Sequence, residues 1–155
     1  MQLRVNEIDA GQILEPLSSG LESEIEYVVR HYAEGRGLTA LLGDRLIAEQ
    51  RRVYAVRWDP FADQYVMWEA GVDGEEADPP RDRRRFDDAT ELLAAFLRSP
   101  DIILSGTVTG RGDYLMVQAQ LQPVRFVPAL GILATLLPND TISTPWRRVP
   151  LKQDA

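Results

Sequence analysis

The chain has 155 residues, a mass of 17.4 kDa, a formal net charge of −7 and a sequence pI of about 4.7. It has no cysteine, one histidine (His31) and, among 17 basic residues, one lysine (Lys152). These counts exclude thiolate zinc sites, Fe–S clusters, disulfides and thiol nucleophiles, and leave only Lys152 for P-loop or Schiff-base chemistry. The length fits a single domain over residues 1–155. The acidic balance argues against nucleic acid or an anionic membrane surface as the main partner. The longest apolar run, Val127–Leu137, is too short to span a bilayer, so no membrane span is expected. Gln2–Ile8 contains Arg4, Asn6 and Glu7, which is no signal-peptide apolar core.

In chain order, alternation over Gln2–Ile8 predicts a short strand, and Ile13–Leu14 a second start after the breaker Gly11. From Leu17 to Tyr32 a helical and a strand period compete. We read a short helical turn over Leu17–Ser23, then a β-rich strand over Glu24–Glu34. Asp44–Trp58 alternates, with Gln50, Arg52, Tyr54, Val56 and Trp58 on one face. Asp59-Pro60 turns the chain, and Gln64–Glu69 returns as the second arm of a hairpin. The segment 71–85 reads as a charged internal loop: the acidic Asp73, Glu75, Glu76 and Asp78 precede Arg81, Arg83, Arg84 and Arg85.

A helix is predicted over about residues 88–98. Asp88 is its N-cap, Glu91 completes a capping box, and Ala89, Leu92, Leu93, Phe96 and Leu97 form one apolar stripe. Ile102–Val108 and Tyr114–Leu121 read as a second hairpin. Pro123 and Pro128 interrupt the chain after it, Ala129–Leu137 reads as a short buried C-terminal helical segment, and Pro145-Trp146 begins an irregular tail. The expected fold is mostly β within the α+β class: an antiparallel sheet or sandwich with one packed helix.

Few residues carry a chemical signature. Arg111-Gly112-Asp113 spells the adhesion tripeptide, but the glycines suit a tight turn with Arg and Asp at an exposed tip. An EF-hand loop starting at Asp73 would need glutamate where Arg84 stands. His31 lies on a strand between Val29 and Ala33 and reads as a half-buried structural residue. No nucleophile elbow, zinc-protease motif or dinucleotide fingerprint occurs. The expectation is therefore no catalytic residue, metal or cofactor, although carboxylate pairs distant in sequence escape this reading. Trp58, Phe61, Tyr65 and Trp68 gather on one hairpin, either as sheet core or as a partner-binding patch. Trp146, beside Arg147 and Arg148, either anchors the tail or meets a partner.

Four stretches resemble the bacterial envelope family called domain of unknown function 4390. They are the Leu17-Ser18 start leading to Leu21 and Ile25, the hairpin RLIAEQRRVYAVRWDPFADQYVMWE, the segment RRFDDATELLAAFL, and YLMVQAQL with the later TPWRRVPL. The serine-tyrosine pair that the family pattern carries is absent at Trp58-Asp59. The resemblance implies an extracytoplasmic, non-enzymatic domain and no catalytic residues. The functional expectation is a binding or accessory module contacting a protein partner through a sheet edge or the aromatic hairpin. The alternatives are a small-molecule domain with an apolar pocket between sheet and helix, a carboxylate- and arginine-based enzyme, or a purely structural envelope component.

Overall fold

The computed structural model describes residues 8–35, 37–70, 81–98, 112–125 and 141–151. Among these residues seven strands form one antiparallel sheet: β1 (Glu22–Ala33), β2 (Arg45–Asp59), β3 (Gln64–Ala70), β4 (Arg81–Phe86), β5 (Tyr114–Arg125), β6 (Ile142–Ser143) and β7 (Arg147–Pro150). Their order is β4-β3-β2-β1-β5-β6, and β7 pairs with β5 beside β6. Among the described residues two α-helices, α1 (Ala10–Ser18) and α2 (Ala89–Phe96), accompany the sheet. The class is thus α+β and predominantly β. Among the described residues no helix is long and apolar enough to cross a membrane.

Alternation along the strands divides the sheet into two faces. Ile25, Tyr27, Tyr54, Val56, Met67, Ala119 and Leu121 form a cluster with Ile13 and Leu17 of α1 and with Leu92 and Phe96 of α2. The register places Leu121, Ile25 and Tyr54 side by side across three strands. Further along the same face, Val29, Leu115 and Val117 pack with Val149 and Leu151. The opposite face carries a smaller group of Val53, Ala55, Val66, Trp68 and Ala70. Beyond that group it is charged. Glu26 and Glu49 pair with Arg51, and Arg30 sits directly opposite Glu49 at 2.7 Å.

Helix α2 forms where its cap and stripe predict. Asp88 accepts hydrogen bonds from the Thr90 and Glu91 N–H groups, and Leu92 and Phe96, one turn apart, are fully buried. The Tyr27 hydroxyl crosses from β1 to donate to the Phe96 carbonyl at 2.7 Å, satisfying one of the helix's terminal acceptors. Burial, with Tyr54 beside it, pushes the Tyr27 hydroxyl well above the ordinary phenol range, so it stays a donor.

Four expectations change. Ile13–Leu14 belong to α1, not to a strand. Asp9 and Gln12 form a capping box that starts the helix before Gly11, and Gly20, at φ +76°, ends it before the expected turn is complete. Arg81–Arg85 leave the expected charged loop for β4, because the backbone pairs with β3 whatever the side chains carry. Pro123 does not end β5, which runs on to Arg125, and the Pro123 carbonyl accepts from the Ser23 hydroxyl at 2.7 Å. The tail after Pro145 is strand β7, not irregular chain. The expected strands Gln2–Ile8 and Ile102–Val108 and the helical segment Ala129–Leu137 fall wholly or almost wholly outside the described residues, as do residues 71–80 of the charged loop.

Leu92→Ala should destabilise the fold by about 2–5 kcal/mol, since a fully buried leucine leaves a cavity between α2 and the sheet. Tyr27→Phe, which only strands the Phe96 carbonyl, should cost about 1–2 kcal/mol. Urea unfolding checks both, and equal losses would contradict this division of labour.

Candidate functional site

The β2–β3 hairpin turns on Asp59. Its carboxylate Oδ1 accepts hydrogen bonds from the Phe61 and Ala62 N–H groups at 3.1 and 3.3 Å, and Asp63 takes a left-handed φ of 54°. This local network fixes the backbone at the tip and leaves Phe61 100% exposed. Trp58 and Tyr65 are register partners, and their rings meet edge-on at 4.7 Å. Tyr65 then packs, with Phe86, against the core beneath the helices.

Trp68 lies three residues beyond Tyr65 and so has the opposite parity. It is buried on the other face among Val53, Ala55, Val66 and Ala70, with the Arg57 guanidinium 5.5 Å from its ring centre. Its indole N–H has no hydrogen-bond partner among the described residues. The four hairpin aromatics therefore do not share one surface: Trp58 and Tyr65 stay together, Trp68 leaves them, and Phe61 projects alone.

Strand β4 runs beside this hairpin. Phe86 pairs with Tyr65, Arg85 with Val66 and Arg84 with Met67, and the Gln64 amide donates to Asp87 at 2.6 Å. Asp82 adopts a φ of 54° where the register between β3 and β4 shifts. Arg84 pairs with Asp82, whereas neither Arg83 nor Arg85 has an ion-pair partner among the described residues. Both are exposed. Sequence reasoning missed this basic edge because charge at successive positions hides the two-residue period that marks a strand.

The fifth candidate, Trp146, stands elsewhere. It lies just before β7 with the Arg30 guanidinium 4.8 Å from its ring centre. Nearby, Tyr32 and Tyr114 stack at 5.5 Å, and Arg148 sits 3.7 Å over the Tyr114 ring while reaching Glu34 at 3.5 Å. The Tyr114 hydroxyl donates to Asp44 at 2.6 Å, and Asp44 also accepts the Gly35 N–H. These contacts tie the β1–β2 connection to β5 and β7. They also hold the Asp44 carboxyl below its usual range, chiefly through the Tyr114 hydrogen bond. Glu49 is lowered likewise by hydrogen bonds from Arg51 and Arg30.

His31 is 1% exposed, deeper than the half-buried position expected. Its Nε2 lies 3.3 Å from Asp113 Oδ2, and its Nδ1 has no hydrogen-bond partner among the described residues. Asp113, 4% exposed, is the third residue of the adhesion-like triplet. It is buried just before β5 instead of standing at an exposed tip, and its carbonyl accepts the Leu151 N–H. An integrin-type contact through Asp113 is therefore blocked by burial. Among the described residues no three His, Asp or Glu side chains converge as a metal site would require. Ile13, Leu17, Leu92 and Phe96 pack from the helices against the sheet.

No family model matches the chain, and neither a curated protein nor a solved structure does.

Carboxyl groups held below their usual range stabilise the fold at neutral pH. That contribution is present above their unfolded pKa of about 4 and is lost as pH falls through the lower folded value. Thermal midpoints should therefore drop below about pH 4. Asp44→Asn should be less stable than wild type at pH 7 and should lose less between about pH 5 and pH 3. Parallel pH profiles for the two proteins would show that Asp44 contributes nothing.

Proposed function

We propose that the chain is a non-enzymatic binding or accessory module of a bacterial cell envelope, and that it meets a protein partner through the tip of the aromatic hairpin and the edge strand beside it. The observation that carries this reading is Phe61, wholly exposed on a turn whose backbone Asp59 already fixes. A lone exposed hydrophobe is ordinary on a protein surface. An aromatic ring on a pre-ordered turn differs, because docking it in a partner's pocket orders little backbone and removes a large apolar surface from water. The neighbouring arginines of β4 belong to a residue type enriched at interfaces. The envelope location rests on the resemblance of the hairpin, the α2 segment and the β5 stretch to the envelope family.

The hairpin reading concentrates on one residue. Trp58 and Tyr65 brace the turn from below, and Trp68 supports the opposite face of β3. Their substitution should weaken folding, whereas Phe61 can be changed without loss of structure.

A photo-reactive phenylalanine analogue at position 61 of the full chain, expressed in its own organism, should give one dominant adduct in the envelope fraction. The same group at the exposed Glu15 of α1 should not give it. Phe61→Ala should keep the thermal midpoint and lose the partner. No adduct at position 61, or the same adduct from both positions, would remove this function.

A further inference from the structure

We infer that the outer edge of β4 accepts an extended acidic peptide segment as an added strand. This deepens the partner reading above by naming the chemistry of what binds.

Strand β4 has β3 on one side and, among the described residues, no strand on the other. An edge of this kind presents backbone N–H and C=O groups that another extended chain can satisfy. Its side chains then decide which chain that is. Arg83 and Arg85 are two residues apart, so their side chains leave the same face about 6.7 Å apart. Both are exposed and neither has an ion-pair partner among the described residues. Arg84 points to the other face and is already paired with Asp82. Among the described residues the edge thus carries two arginines without an ion-pair partner, on a chain whose net charge is −7.

Charge complementarity selects the occupant. In an added strand, residues directly opposite Arg83 and Arg85 would stand about 5 Å away, Cβ to Cβ, where carboxylates attract and like charges repel. A second copy of β4 would set arginine against arginine, so self-pairing through this edge is disfavoured. A basic segment is rejected for the same reason. A segment with Glu or Asp at alternate positions satisfies both arginines from one face. The left-handed Asp82 shifts the register at the start of the strand. That limits regular pairing to Arg83–Phe86, a stretch suited to a short peptide and unsuited to open-ended sheet growth.

The test uses the full chain and a fluorescent peptide of about ten residues alternating Glu with Val or Thr, with both ends blocked. Anisotropy should show saturable binding that weakens at least tenfold between about 50 and about 500 mM NaCl. The double variant R83E/R85E should lose at least tenfold in affinity, and R83Q/R85Q should fall between it and wild type. Unchanged far-UV spectra and thermal midpoints would show that both variants fold. A peptide with Lys in place of Glu should not bind, and one with the same Glu count but two central prolines should not either, since proline removes the ladder donors. Absence of saturable binding, equal binding of the proline peptide, or binding indifferent to R83E/R85E would each overturn the edge site. So would concentration-dependent dimers abolished by R83E/R85E, which would make the occupant a second copy. The adduct at position 61 separates the two readings: if it persists while peptide binding fails, the partner reading stands and the edge assignment falls.

Discussion

Strand β1 is paired along both edges, with β2 from Ser23 to Ala33 and with β5 from Glu22 to Tyr32. The register of those two ladders governs the rest of the molecule. A slip of one residue would send Ile25 and Tyr27 to the charged face and Glu24 and Glu26 beneath the helices. In the observed register Ile25 and Tyr27 lie beside Tyr54, Val56, Leu121 and Ala119, and the apolar stripe that results is what α1 and α2 cover. Tyr27 then links sheet to helix a second time, through its hydroxyl on the Phe96 carbonyl. Helix placement, hairpin geometry and the position of the arginine edge all depend on that central strand.

The same register organises the charges. On the face away from the helices, Arg30 meets Glu49 directly and Arg51 bridges Glu49 and Glu26. These pairs are partly exposed and individually worth little. Their effect lies more in specificity, because a shifted register would set some of these charges against like charges. Arg83 and Arg85, by contrast, have no ion-pair partner among the described residues. The charge balance of the whole chain is acidic, and this arginine edge runs opposite to it.

The buried pair of His31 and Asp113 joins the far end of β1 to the start of β5, and the Asp113 carbonyl takes the N–H of Leu151 after β7. The triplet that looked like an exposed recognition tip ends inside the fold. A short motif is a statement about side-chain identity, whereas recognition needs accessibility, which depends on where the chain enters the sheet.

Several elements were legible from residue order. The alternation of Gln50, Arg52, Tyr54, Val56 and Trp58, the cap at Asp88 and the stripe from Leu92 to Phe96 are local patterns, and local patterns survive into the structure when nothing distant opposes them. Helix α1 was less legible, because Gly11 and Pro16 are weak helix residues and the Asp9–Gln12 box that starts it is read only with the backbone in hand. Strand β4 and strand β7 were hidden for a related reason: in RDRRRF and RRVP the period of two is masked, and only a neighbouring strand supplies the hydrogen bonds that make them β. Residue order was enough for the class, the central hairpin and helix α2, since periodicity and capping act over a few residues. It was not enough to tell which aromatics share a face, that Asp113 is buried with His31, or that Arg83 and Arg85 line an edge. Those are relations between residues far apart in the chain, set by strand order and register.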